Sequence, residues 1–437
     1  MKTRAWMLTV GIALLLGQAW AVPILAIPRI GGYAGYSRAV VDVPDGVTWT
    51  VEPMGAALRV TFSGVTATNA SVHVSKPEIR GWTLEGAQSG AVLTLVTPQG
   101  VTTRSGFRAS KLSPSEGKTG SRLVVDVSGA FADTSPLPAV APLKFVKAAG
   151  RAFTVVIDPG HGGPDTGALG LVAEHAVNLD VGLRVATRLR EVGVNIVMTR
   201  KDSGTISEDK RTDLAARAKL SSSADAFVAI HANSTVARRV NSTYGIEVYY
   251  FNPSHQKPVF PTPDAEPIAA PALTEATSIS ADTPILTPDG RPVIDAGDVP
   301  EAPVPVVTET EQLAPTVVVS SPVVAVTEPA PQSFSGPVVP WTDLPSNSPE
   351  RATRSRDLAT TVLSSLLGST AASNGGVRTD TFVVIKESLC PAILVEMGYV
   401  KHPIEGAQLR DTNYLDRIAY GIARGVVEAL ENSPDPR

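Results

Sequence analysis

Cysteine is almost absent. The single Cys390 among 437 residues excludes a disulfide within the chain, so the fold must rest on its core or on a metal. Cys390 precedes the apolar run Pro391-Ala-Ile-Leu-Val-Glu396, where a small buried hydrophobe is the expected role. A strong excess of either charge is absent too. With 38 Lys and Arg against 42 Asp and Glu, the formal net charge is -4, and no nucleic-acid partner is expected. Long apolar runs are limited to one, Ala5 to Gly17, preceded by Lys2 and Arg4 and followed by the small-x-small pattern Ala19-Trp20-Ala21. It falls short of the roughly 18–20 residues that span a bilayer. Residues 1–21 are therefore expected to be a secretory signal peptide cleaved after Ala21, leaving no transmembrane anchor in the mature chain. That places the protein across the inner membrane, periplasmic or associated with the cell envelope.

What is present is a globular composition, 43% apolar and 18% charged, in a chain long enough for two or three domains. From 32 to 128 short alternating segments recur between turn residues: Thr48–Glu52, Leu58–Phe62, Ser71–Ser75, Ala91–Val96 and Arg122–Val127. Period-two alternation predicts an N-terminal all-β sandwich. His73 lies on one of these segments without ligand-type neighbours and reads as a surface residue. Nothing here suggests catalysis, and a binding or targeting module is the natural expectation. Residues 129–150, rich in Pro, Ala and Val, read as a linker.

Beyond it, from 151 to 432, strand-like runs alternate with helical ones, predicting an α/β catalytic domain with a mostly parallel six-stranded sheet flanked by helices. The expected strands are Thr154–Asp158, Val194–Thr199, Ala226–Ile230, Gly245–Phe251, Phe382–Lys386 and Ala392–Glu396. Helices are expected over 174–192, 212–220, 354–367 and 414–431, from apolar residues at helical spacing. Residues 252–350 interrupt this pattern with 20 of the 36 prolines, 13 Asp or Glu and two basic residues. They read as an acidic, Pro-rich, disordered insertion. Without it Lys and Arg fall from 38 to 36 and Asp and Glu from 42 to 29, so the remainder carries about seven positive charges. That balance suits an anionic polymer as partner; a solvated spacer without function explains the insertion equally well.

Residues 155–167, VVIDPGHGGPDTG, place a glycine-rich turn after a strand. A dinucleotide fingerprint needs a third glycine where Asp165 stands, and a P-loop needs a following Lys, so the phosphate reading fails on both. A bare tight corner remains open. His161 follows the first strand, His231 follows Ala226–Ile230, Glu396 ends its strand, and Glu174 opens the helix leaving the first strand. All four fall on the edge where parallel strands end and where α/β sites form. Two histidines and one carboxylate with an open fourth position form the ligand set of hydrolytic zinc sites. The remaining glutamate can then move a proton from the attacking water to a leaving amine.

Four stretches carry a family resemblance: Asp158-Pro-Gly-His-Gly-Gly163, Glu174 with Asn178-Leu179, His231-Ala-Asn233 and Leu394-Val-Glu-Met-Gly-Tyr399. Over 151–251 and 352–432 the chain resembles the zinc-dependent N-acetylmuramoyl-L-alanine amidases of the amidase-3 family. The resemblance implies Zn2+ held by His161, Glu174 and His231, with Glu396 as catalytic base and acid. It implies hydrolysis of the amide between N-acetylmuramic acid and L-alanine of the stem peptide, with peptidoglycan as partner, in wall remodelling or daughter-cell separation. Arg217 matches an arginine common in the family and reads as a structural ion pair; His175 neighbours a ligand but points elsewhere. The N-terminal region is similar to AMIN domains, which bind envelope components. Some family members carry an inserted helix that a protein activator displaces; the longer, proline-rich insertion here departs from that pattern. A non-catalytic envelope-binding protein of the same fold and a zinc peptidase acting on wall peptides are the alternatives.

Overall fold

The computed structural model describes residues 22–138, 143, 152–255, 345 and 347–432. The expected signal peptide, the second half of the linker and nearly all of the expected insertion lie outside the described residues.

The N-terminal part is β-rich, as expected. Nine strands form two antiparallel sheets. One holds β1 (Arg29–Tyr33), β2 (Tyr36–Val43), β9 (Ser121–Val127) and β8 (Phe107–Leu112), in that order. The other holds β3 (Thr48–Pro53), β4 (Gly55–Ser63), β7 (Gly90–Val101), β6 (Gly81–Gly86) and β5 (Ala70–His73). Every second residue of β2 is buried. Val41 and Val125 from one sheet join Val60, Phe62 and Leu95 from the other in a common core, the packing that alternation on a pleated strand dictates. His73 is exposed.

The second part is an α/β/α layer structure. Its six strands are β10 (Thr154–Pro159), β11 (Asn195–Met198), β12 (Ala226–Asn233), β13 (Ile246–Tyr250), β14 (Asn374–Thr379) and β15 (Ala392–Tyr399), in the order β11-β10-β12-β15-β13-β14. The sheet is mixed rather than the mostly parallel one expected. β10, β11, β12 and β15 run together, while β13 pairs antiparallel with β15 and carries β14 with it. The segment between Asn233 and Ile246 holds only the short 3-10 turn Ala237–Arg239, not the helix that usually carries a chain back to a parallel partner.

A second correction concerns Phe382–Lys386. This apolar run is not a strand; Val383–Lys386 forms a short helix, α4, and the edge strand is the glycine-containing Asn374–Thr379. Intrinsic β preference yields here to packing, because Val384 and Ile385 are buried under the sheet beside Phe227 and Leu394.

The remaining helices are α1 (Glu174–Glu191), α2 (Lys210–Lys219), α3 (Pro349–Thr370), α5 (Glu405–Gln408) and α6 (Thr412–Glu431). Helices α1, α3 and α6 cover one face, burying Val181, Val362 and Ile422 with Ile157, Val228 and Val395. The alternate residues Val156, Ala229 and Leu394 face the other layer. Both faces are covered, so these strands read as continuous apolar runs. Cys390 is fully buried in the second layer, and burial pushes its thiol pKa up.

The two parts are tied by polar contacts. Arg104 donates to the carbonyls of Gly368 (2.9 Å) and Ser369 (2.6 Å) at the C-terminal end of α3, and to Asp133 (2.6 Å). Gln408 donates to Ala130 O at 3.0 Å and accepts from Ala132 N at 2.9 Å.

Candidate metal centre and active site

Strand β10 delivers the chain to Pro159, and the next residues turn sharply. His161 adopts φ +65°, a left-handed conformation uncommon outside glycine, and Gly162 (+123°) and Gly163 (+57°) continue the turn. Such a path leaves carbonyls without ladder partners, and buried carbonyls need donors. Two buried arginines supply them. Arg200 donates to the carbonyls of Pro159 (2.8 Å), Gly160 (3.0 Å) and His175 (2.7 Å). Arg217, 1% exposed, donates to those of Pro159 (3.1 Å) and His161 (2.9 Å). It also forms ion pairs with Asp158 at 2.9 Å and Asp213 at 2.6 Å, and Asp158 accepts in addition from Thr199. A guanidinium fork suits this task because its donors are fixed in one plane.

Glu174 is the first residue of α1 and is 6% exposed. Its Oε1 lies 3.0 Å from His161 Nε2 and 3.0 Å from His231 Nδ1, while Oε2 accepts from Ala168 N at 2.7 Å. Burial alone would raise its pKa; the bonds from the two histidines outweigh it and hold the carboxyl well below the usual range. The two imidazoles sit edge to face, with centroids 4.9 Å apart. Two glycines make room. A Cβ at Gly160 would fall 2.1 Å from His231 Nε2, and one at Gly167 would fall 2.7 Å from Glu174 Oε2.

Glu396 is on β15, in register with His231 on β12 and with Glu247 on β13. It is 9% exposed and its Oε2 has no hydrogen-bond partner among the described residues. Its pKa is pushed well above the ordinary value, first by burial and then by the charges of Glu174 and Glu247. These side chains line a cavity of about 530 Å³ whose walls include Lys210, Asn233 and Phe382.

Of the residues singled out from sequence, His161, Glu174 and His231 meet: their donor atoms all lie within 4.8 Å of one another. Glu396 faces the same cavity. His175 stays outside the cluster, its Nδ1 lying 3.1 Å from Thr166 O. Two carboxylates were missed. Asp165 Oδ2 lies 3.0 Å from His161 Nδ1 and 3.0 Å from Lys210 Nζ. Glu247 is 5% exposed and contacts Tyr249 (2.7 Å), Asn233 (3.2 Å), Arg378 (3.0 Å) and Tyr399 (3.3 Å). Asp165 had a signal in its spacing four residues after His161. Glu247 had none until the direction of β13 was known.

The donor set fits zinc. A four-coordinate ion with ligands at about 2.0–2.1 Å gathers its donors within roughly 3.5 Å of each other. Glu174 Oε1 already sits at 3.0 Å from both imidazole nitrogens. Two nitrogens and one carboxylate oxygen are the donors such an ion takes in hydrolytic sites, with one position left open.

The sequence model of a family described as N-acetylmuramoyl-L-alanine amidase matches residues 155–428. Among individual proteins, N-acetylmuramoyl-L-alanine amidase LytC of Bacillus subtilis (strain 168) is 42% identical over 98 residues, which are 22% of this chain and 18% of that protein. N-acetylmuramoyl-L-alanine amidase AmiC of Neisseria meningitidis serogroup B is 36% identical over 106 residues, 24% of either chain. The chain thus spans a quarter or less of these two curated relatives. The crystal structure of N-acetylmuramoyl-L-alanine amidase from Clostridium difficile 630 is similar at 24% identity, covering 64% of this chain and 97% of that one, with a TM-score of 0.38.

Proposed function

The chain belongs to the N-acetylmuramoyl-L-alanine amidase family, and we propose that it is a zinc-dependent peptidoglycan hydrolase that cleaves the amide between N-acetylmuramic acid and the L-alanine of the stem peptide. One observation carries this reading: His161, Glu174 and His231 converge beside the buried carboxyl of Glu396, whose Oε2 has no hydrogen-bond partner among the described residues.

His161, Glu174 and His231 would hold the ion. Bound zinc supplies Lewis acidity, which makes water nucleophilic near neutral pH and polarises a carbonyl. Glu396 takes the proton that water gives up as its oxygen bonds to the lactyl carbonyl carbon. It then returns that proton to the alanine nitrogen as the C–N bond breaks, leaving a carboxyl on the sugar and a free amine on the peptide. Burial suits both halves of this task, because raising the carboxyl's pKa strengthens it as a base toward the water proton and keeps that proton at hand for the leaving nitrogen.

The further readings rest on the sequence and the family. The first 21 residues would direct export to the envelope, and the β-rich part would act as an AMIN-like module on envelope components. Wall remodelling or cell separation would be the setting.

The test is Glu396→Gln. The variant should retain one zinc per chain while releasing stem peptides from purified cell wall about 10²–10⁴-fold more slowly. Undiminished release removes Glu396 from the mechanism; loss of zinc together with activity assigns it to metal binding instead.

A further inference from the structure

We infer that Asp165 is a positioning residue: it accepts the Nδ1 proton of His161 and thereby presents Nε2 to the metal. This rests on the metal-site reading above. His161 has a carboxylate at each ring nitrogen, Glu174 Oε1 3.0 Å from Nε2 and Asp165 Oδ2 3.0 Å from Nδ1. Only Glu174 belongs to the cluster that converges with His231. The two sides of the ring are therefore unlike, with Nε2 facing the shared point and Nδ1 facing away from it.

The aspartate is held as a fixed acceptor. Its backbone exchanges hydrogen bonds with Gly162, Gly162 N to Asp165 O at 2.8 Å and Asp165 N to Gly162 O at 3.1 Å. Its Oδ1 accepts from Gly167 N at 3.1 Å, and Lys210 Nζ lies 3.0 Å from Oδ2. Both oxygens are thus engaged, and Oδ2 points at the imidazole. His161 itself needs such a hold. It sits at φ +65° in a turn made of glycines, where the backbone alone constrains the ring least. A carboxylate on the far nitrogen of a metal-binding histidine sets the tautomer, fixes the ring and raises its basicity. The residue that spoils the third glycine of a phosphate loop here serves a metal loop.

The experiment measures zinc affinity by competition with a chromophoric chelator for the parent chain, Asp165→Ala and Asp165→Asn. Parent affinity should fall about 10–100-fold in Asp165→Ala. Asp165→Asn, whose side-chain oxygen can still accept from Nδ1–H, should recover most of that loss. Nitrogen-15 NMR of the zinc-loaded parent should show the His161 proton on Nδ1, a readout that needs no variant to fold. Asp165→Ala binding zinc within twofold of the parent, or His161 carrying its proton on Nε2, overturns the inference while the metal-site reading stands. A parent chain without zinc affinity overturns both.

Discussion

An alanine at position 160 would place its Cβ 2.1 Å from Nε2 of His231, so that ring can hold its place only above a residue without a side chain. Gly160→Ala is expected to push His231 out of line, lowering zinc affinity at least tenfold and slowing hydrolysis by about 100-fold, the usual cost of a displacement near 1 Å. Isothermal titration with zinc and a wall-release assay check both; an unchanged affinity would mean that the ring has room to spare. At this scale the sequence was informative where a polar residue ends an apolar run. His231 and Glu396 close Ala226–Ile230 and Ala392–Val395, and the structure sets them in register. Asp165 showed in the sequence as a missing glycine and as a carboxylate four residues after His161, with nothing to say that it would meet the ring. Glu247 could not be placed, because its neighbour across the sheet depends on strand direction.

Elements were legible in proportion to how far local pattern agrees with tertiary environment. Helix α1 carries Val177, Val181, Val185 and Leu189 on its buried face, and that spacing stands in the sequence. The run Val383–Lys386 looks like a strand yet packs as a helix, and the strand Asn374–Thr379 contains the glycine pair Gly375-Gly376 that argues against one. Its pairing to β13 supplies what propensity does not. The turn after β15 shows a dependence on pH. His402, 1% exposed, accepts at Nδ1 from the amides of Ile404 (3.2 Å) and Glu405 (3.3 Å) at the start of α5, a role open only to the neutral ring. Burial pushes its pKa from the ordinary 6.5 down to about 4. Between those values the unfolded chain holds a proton that the folded chain does not. The stability His402 contributes is therefore complete above about pH 6.5 and is lost as pH falls toward 4. Glu405, pushed by burial up to about 7, has the opposite slope, so the comparison must cancel it. Urea unfolding of the parent and of His402→Asn should give a stability difference that moves against the parent by about 3 kcal/mol from pH 7 to pH 4. A difference independent of pH contradicts the assignment.

At the scale of the whole molecule, the candidate site gathers on one edge of one sheet. β10, β12 and β15 end there, and the antiparallel β13 begins there, which is why Glu247 reaches the same neighbourhood as Glu396. Three-layer packing holds that edge rigid from both sides. The β-rich part is anchored to the α/β part through Arg104 on the end of α3 and through Gln408. Sequence alternation predicted both parts, but the residues joining them fall in segments read as turns and linker, where periodicity says nothing about partners. Which bond this edge would cut is read most directly by digesting purified peptidoglycan with the zinc-loaded chain and analysing the soluble products by mass spectrometry. The expected result is intact stem peptides beginning with a free L-alanine amine, together with glycan whose muramic lactyl groups end in carboxylates. New termini between amino acids within the stem, with the sugar–alanine amide intact, would contradict it.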